Sequence, residues 1–395
     1  MKLFAASTLT VLSIGATLFA TVLHGRAQET PQSTSTGQST SSGPASGATP
    51  QDLPLADAKL ITAFQAECLA KARAAAKAYA ITIRGKNGWL FFGPELRHVG
   101  VGTFWGEAAR KTSQANDPEA ADPLPAILDF KAQLEKAGIE LLMVPVPPKA
   151  LIYPDMLSSR AVFDVKAPTR FDAAHHQFYE LLRSRGVNVL DLTPQFLKQR
   201  LDASGALYCK QDTHWSGRGC VLAARLIAQN LQDRAWLQAV PKVKLAQQWK
   251  RISIEGDLWQ GLGDPLPPRE SLPLRFVGRA MSQSTSKAPA VPKPLAPNPS
   301  SPVVLLGDSH DLVFHDGDDM HARGAGLPDQ LAAELGFAVD LIAVRGSGAT
   351  PSRTTLMRRV RANPSYLKQK KLVIWCFSAR EFTESLGWQK VPIVP

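Results

Sequence analysis

Cysteine, charge and long apolar runs are all scarce in this 395-residue chain. Its four cysteines, Cys68, Cys209, Cys220 and Cys376, are too few for a disulfide scaffold and lack the C-x-x-C spacing of a structural zinc site. Four cysteines allow three complete pairings, and the sequence does not choose among them. Charged residues make up 20% of the chain, below the ~25% usual for globular domains, but apolar residues at 44% are near the usual ~45–50%. A wholly disordered protein is therefore excluded. Lys and Arg number 45 against 34 Asp and Glu, a formal charge of +11. That balance favours encounter with a polyanion, although charge steers without specifying.

One uncharged run stands out. Residues 3–23 follow Lys2 and end near Gly25-Arg26-Ala27, a small-x-small site for cleavage after Ala27. The segment reads as an export signal or, uncleaved, as an anchor, since ~20 residues at 1.5 Å rise span a bilayer core. From Gln28 the chain is rich in Ser, Thr, Gln, Gly and Pro, a composition that buries too little to offset chain entropy. Residues 28–58 are expected to be a disordered tether and 59–395 one domain. A second biased stretch, 282–302, carries Pro289, Pro292, Pro294, Pro297, Pro299 and Pro302 and is expected as a loop inserted in that domain.

Strand-length apolar runs recur at 139–144, 187–192, 303–306, 339–344 and 372–377. Helix-period segments lie between or beside them at 123–136, 168–185, 217–232, 328–335 and 351–363, several with Pro in the first turn. The alternation predicts an α/β fold with a mainly parallel sheet covered on both faces. Chemistry in such folds gathers beyond the carboxyl ends of the strands.

Those ends carry three motifs. Gly307-Asp308-Ser309-His310 follows the 303–306 run, and a serine past a buried strand can present a hydroxyl and a backbone N–H. The same tetrapeptide is also an ordinary turn, and Asp311 excludes the G-x-S-x-G elbow. Asp212-Thr213-His214-Trp215-Ser216 precedes a helix. Its D-x-H spacing pairs a carboxylate with an imidazole whose other nitrogen can accept a hydroxyl proton. The alternative is a helix cap beside a partly buried histidine. After 339–344 comes Arg345-Gly346-Ser347-Gly348-Ala349, where Gly346 or Gly348 can add N–H donors for an oxyanion. A phosphate cradle lacks the further glycine and Lys-Ser/Thr it needs. Arg380 and Glu381 either orient substrate or form a surface ion pair.

Taken with Gly88-Trp89-Leu90-Phe91-Phe92, Glu95-Leu96, Val144-Pro145-Val146-Pro147-Pro148-Lys149 and Gly326-Leu327-Pro328, these motifs resemble the SGNH-hydrolase-like periplasmic alginate O-acetyltransferases of the AlgJ/AlgX type, from about Leu60 onward. The resemblance implies a three-layer sandwich with the Asp-x-His pair before the serine strand. It makes Ser309 the nucleophile, His214 the base and Asp212 its orienting carboxylate, with the Ser309 amide and Gly346 or Gly348 as oxyanion donors. It implies acetyl transfer to an exopolysaccharide acceptor, without cofactor, in the periplasm beside a membrane-bound acyltransferase and other biosynthesis-complex proteins. Two features depart from the pattern. His310 stands where the family often has an aromatic or small residue, and the chain ends soon after Arg380, without a carbohydrate-binding module, so the AlgJ type is nearer. An esterase using water, and a non-catalytic polysaccharide-binding subunit, remain rival functions. Nucleic acid is a poor partner for an exported chain without a binding module.

Other clusters invite bland readings. His315, Asp316, Asp318, Asp319 and His321 form a histidine-bearing acidic loop, but their spacing fits neither an EF-hand nor H-E-x-x-H. A polar loop at the cleft edge explains them as well, and no metal is expected. His175 and His176, on an expected helix, read as one surface and one partly buried histidine rather than as ligands. Arg358, Arg359 and Arg361 could meet a polyanion or form a solvated basic face.

Overall fold

The five expected strands all form, and they form one sheet. Along the chain the strands are β1 Thr82–Arg84, β2 Leu90–Phe92, β3 Glu140–Val146, β4 Asn188–Val189, β5 Ala246–Ile254, β6 Glu270–Gly278, β7 Val303–Gly307, β8 Asp340–Ala343 and β9 Leu372–Ser378. The central sheet has the order β4-β3-β9-β7-β8 and every pairing in it is parallel. The last strand in the chain is thus its middle strand, which places the carboxyl ends of β3, β9 and β7 side by side.

Strand pleating explains why these runs are apolar throughout, since successive side chains face opposite layers. Leu142, Val144 and Val146 of β3, Val303 and Leu305 of β7, and Leu372 and Ile374 of β9 belong to one core. Helices Ala58–Lys77, Gly217–Leu231 and Leu327–Leu335 close it. Leu141, Met143, Val304, Leu306, Val373, Trp375 and Phe377 belong to the other, closed by Pro123–Lys136, Ala173–Ser184 and Thr350–Ala362. The result is a three-layer sandwich.

This computed structural model describes residues 53–164, 166–262, 268–281 and 291–394. The signal or anchor segment and the tether as far as residue 52 lie outside the described residues. Among the described residues no helix is long and apolar enough to cross a membrane. The tether expected to reach residue 58 ends earlier, because Leu55 bridges Arg170 and the Ala56 N–H donates to the Arg170 carbonyl at 2.8 Å. Asp57 then caps the helix Ala58–Lys77 through its side chain. This helix was not expected, although Ile61, Phe64, Cys68 and Ala72 line its buried face at helical spacing.

The expected helix 168–185 begins only at Ala173. Arg170 is held before it in a buried ion cluster, 2.7 Å from Asp172 and 2.6 Å from Asp191. The antiparallel hairpin β5–β6 was also missed. Most of β5 is exposed and polar, and Pro273 sits within β6. Of the Pro-rich stretch, 282–290 lies outside the described residues. The remainder is bonded in place, with Arg279 and Lys293 exchanging backbone hydrogen bonds and the Asn298 N–H donating to Val339.

Candidate active site

Ser309 sits on the turn that leaves β7, and Gly307 explains how the turn fits. A Cβ there would lie 1.7 Å from the Cys376 carbonyl oxygen and 2.1 Å from the Asp311 carboxylate, so only glycine lets β7 end against β9. Asp308 then binds the turn together. Its Oδ1 accepts the His310 N–H at 2.8 Å and the His310 ring Nδ1 at 3.1 Å, and its Oδ2 accepts the Ser378 N–H of β9 at 2.7 Å.

The Asp-x-His segment reaches the same place from the other side. Tyr208 and Trp215 pair across it as an isolated antiparallel bridge, and Ser216 caps the helix Gly217–Leu231 by accepting from the Arg218 and Gly219 amides. The bend between them directs His214 at Ser309, with Nε2 2.8 Å from the serine Oγ. His214 Nδ1 lies 2.6 Å from Asp212 Oδ1. A carboxylate only accepts, so Nδ1 carries the proton and Nε2 presents a lone pair to the hydroxyl. All three residues are buried, at 1%, 6% and 7% exposure for Asp212, His214 and Ser309.

Burial disfavours charge on His214, but the adjoining Asp212 carboxylate outweighs it and holds the imidazole above its ordinary pKa. Burial also opposes charge on Asp212, and His214 and His321 together hold that carboxyl well below its usual range. The His310 ring packs edge-on against His214 with centroids 4.8 Å apart. Burial lowers the His310 pKa against the pull of Asp308, so a neutral ring adjoins the His214 imidazole.

Several residues of this site escaped the sequence reading. Asp257, just beyond β5, accepts the Thr213 N–H at 2.7 Å, and its own N–H donates to Asp212 Oδ2 at 3.0 Å. No motif marks it, and the strand before it went unrecognised. Lys149 closes the quoted β3 motif and is 1% exposed. Its ammonium donates to the carbonyls of Leu90 and Asp212, while Glu95, pushed up to about 6 by burial, accepts the Lys149 amide. The strand-end rule was sufficient to find it.

The structure brings Gly348 beside the Ser309 turn, where a Cβ would lie 3.3 Å from the Asp308 nitrogen. Gly346 sits at the exposed tip of the same loop, with φ +79°. Neither the Ser309 nor the Gly348 amide is engaged in a hydrogen bond among the described residues. Arg380 and Glu381 do not form the surface ion pair considered above. Glu381 is 2% exposed and accepts from the Ser347 hydroxyl at 2.9 Å, whereas Arg380 is half-buried with its guanidinium 5.5 Å from the Phe92 ring centroid.

The histidine-bearing acidic loop does not converge on a cation. His315 bonds Asp329, Arg345 takes Asp316 and Asp319, and His321 turns inward to Asp212. Among the described residues, Asp212, His214 and Asp257 bring ligand-type atoms within 4.8 Å of one another. Those groups are the hydrogen-bonded ones just described, and we assign no metal to them. His175 is buried against His98, Nε2 to Nε2 at 2.7 Å, and His176 is partly exposed. All four cysteines are buried free thiols. Of Arg358, Arg359 and Arg361 on the helix Thr350–Ala362, Arg359 pairs with Asp340, and Arg358 and Arg361 are exposed.

Fold and strand-end geometry together define an SGNH hydrolase-like protein. Residues 82–379 match the family described as "SGNH hydrolase-like domain, acetyltransferase AlgX", and the chain belongs to that family. It is 24% identical over 208 residues to the probable alginate O-acetylase AlgJ of Pseudomonas aeruginosa, covering 53% of this chain and 47% of that protein. Identity to the AlgJ protein of Pseudomonas putida is 25% over 234 residues, covering 59% and 51%. The matches thus span about half the length of these curated relatives. The fold is similar to the O-acetyltransferase domain of Pseudomonas putida AlgJ, with TM-score 0.54, 20% identity and coverage of 77% of this chain and 92% of that one. It is also similar to Pseudomonas aeruginosa AlgX, with TM-score 0.52, 18% identity and coverage of 79% and 66%.

Proposed function

We infer that the protein is an O-acetyltransferase that places acetyl groups on hydroxyls of an exported polysaccharide, alginate or a similar uronate polymer, in the periplasm. The observation that carries this is the 2.8 Å approach of His214 Nε2 to Ser309 Oγ with Asp212 on Nδ1, in a chain of the AlgX family. Ser309 Oγ attacks the donor's acetyl carbonyl while His214 Nε2 takes the hydroxyl proton. The bond from the carbonyl carbon to the leaving group breaks, and the leaving group departs with that proton. A sugar hydroxyl oxygen then attacks the acetyl carbonyl carbon, giving its proton to His214, and the bond from that carbon to Ser309 Oγ breaks as His214 returns the proton to Oγ.

The amides of Ser309 and Gly348 are the proposed oxyanion donors, since both are unengaged and flank the turn. Arg380, without an ion pair among the described residues, is the proposed contact for an acceptor carboxylate. A membrane-bound acyltransferase as acetyl source and other complex proteins as partners fit this reading, as does the exportable N-terminus.

The test incubates the full chain with an activated acetyl ester and oligouronate acceptors, and counts acetylated sugar and free acetate separately by mass spectrometry. Wild type should yield acetylated oligosaccharide and Ser309→Ala none. Acetate alone from wild type would instead make the protein an esterase, and equal products from both chains would remove Ser309 from the chemistry.

A further inference from the structure

Asp212 carries more than its histidine partner. Its Oδ1 accepts from the His214 backbone N–H at 3.0 Å and ring Nδ1 at 2.6 Å, and its Oδ2 accepts from the Asp257 N–H at 3.0 Å and from His321 Nε2 at 2.9 Å. A carboxylate offers about four lone-pair sites, and all four are filled. Because Oδ2 can only accept, His321 Nε2 must carry a proton and act as donor. Three of the four donors come from the segments flanking Asp212 and Asp257. The fourth is delivered by a different element, the loop between β7 and the helix Leu327–Leu335.

That loop is built to hold the imidazole in place. The Phe314 N–H donates to Met320, the Ala325 N–H to Phe314, and the Gly317 N–H to Ala322. Phe314, Asp318 and His321 all have positive φ, at 61°, 47° and 70°, a region that disfavours residues with a side chain. The His321 ring lies 5.9 Å from the fully buried Phe314 ring. From outside, Arg345, beyond β8, bonds both Asp316 and Asp319.

We propose that His321 is a positioning residue of the acyl-transfer site, a second imidazole donor that locks the Asp212 carboxylate in line with His214 Nδ1. It acts through Asp212 and does not touch the reacting atoms. Holding Oδ2 prevents the carboxylate from rotating off the imidazole. It also draws negative charge away from Oδ1, which keeps His214 a neutral base to lower pH than Asp212 alone would allow. The inference rests on the acyl-transfer reading given above.

The experiment measures pH profiles of acetyl transfer by the full chain for wild type, Ser309→Ala, His321→Ala and His321→Gln, together with thermal unfolding. The group read in the acid limb is His214, faced by Asp212, Asp257 and Asp308, with His310 against its ring and Lys149 behind the Asp212 carbonyl. None of these is altered. His321→Ala should lower kcat about tenfold with little change in KM and move the acid limb upward by about one pH unit, because one donor to the carboxylate is gone. His321→Gln places an amide N–H near the same point and should restore the wild-type limb and most of kcat.

An Ala variant with wild-type kinetics overturns the proposal. So does one that loses activity and unfolding temperature while its limb stays in place, since that is a purely structural role. Failure of Gln to restore the limb overturns the donor assignment. Activity in Ser309→Ala equal to wild type would sink the acyl-transfer reading itself, and an inactive Ser309→Ala beside an unchanged His321→Ala would sink only this inference.

Discussion

Trp215 donates its indole N–H to the carbonyl oxygen of His310 at 3.0 Å. The two residues directly follow His214 and Ser309, so one hydrogen bond ties together the two loops that meet in the proposed proton transfer. Both partners are buried, at 0% and 1% exposure. Trp215→Phe keeps a large ring but leaves the His310 carbonyl without that donor, a loss of about 1–3 kcal/mol for a buried acceptor. The expected result is a folded protein with kcat for acetyl transfer reduced about tenfold or more, since small misalignments of reacting groups are costly. Steady-state kinetics beside circular dichroism checks this, and a wild-type kcat would mean the loops are registered by something else.

The protonation of His214 sets a second expectation. Its pKa is raised in the fold, because Asp212 outweighs the burial that opposes charge. The imidazole is the proposed proton acceptor, so kcat/KM should rise with pH through a midpoint above the ordinary histidine value. Asp212→Asn removes the charge that raises it. The limb should then move to lower pH while the rate falls by about 10⁴, the scale seen when a triad carboxylate is replaced by its amide. A pH profile of both chains decides, and an unmoved limb would assign the titration to another group.

Both site motifs were legible because they sit where a general rule looks, immediately after a buried strand or before a helix. The sheet was legible for the same reason, since Val303-Val304-Leu305-Leu306 and Leu372 to Phe377 must be apolar on both faces. What escaped was whatever lacked that signature. β5 reads Ala-Gln-Gln-Trp-Lys-Arg-Ile-Ser-Ile and is largely exposed, so nothing apolar alternates cleanly enough to mark it, and Asp257 was lost with it. In the sequence His321 is legible only as part of a polar loop, because its partner lies 109 positions earlier in the chain. Sequence spacing reports contacts within an element, whereas this one depends on how β7 and the Asp-x-His segment are brought together.

A buried charge cluster away from the site gives a stability prediction. Asp340 at the start of β8 is 1% exposed and receives Lys370 Nζ at 2.9 Å, Arg359 Nη1 at 2.6 Å and the Tyr366 hydroxyl at 2.5 Å. Lys370 is 2% exposed. Asp340→Ala strands its ammonium without a counter-charge, a change that typically costs about 3–5 kcal/mol. Denaturant unfolding should show that loss. Asp340→Ala with Lys370→Met should recover part of it, since the buried ammonium goes with its counter-charge and only the partly exposed Arg359 is left without a partner.

Glu381 ties stability to pH. It is buried at the end of β9, and that burial pushes its carboxyl from 4.5 up to about 7 despite the nearby Arg380 and the Ser347 hydroxyl. The folded state therefore keeps a proton that the unfolded chain releases, and the protonated group's advantage is complete below about pH 4.5. As pH rises from there to about 7 the unfolded state sheds that proton first, so stability falls across that window. Glu381→Gln retains an acceptor for Ser347 but cannot ionise. Its stability relative to wild type should grow between pH 5 and pH 8 by on the order of 2–3 kcal/mol, following 1.36 kcal/mol per pKa unit. Glu95 is raised as well, but it is common to both proteins and cancels in the difference. Urea unfolding of the two chains at both pH values makes the measurement, and a difference that stays constant would mean that Glu381 is already ionised in the fold at pH 5.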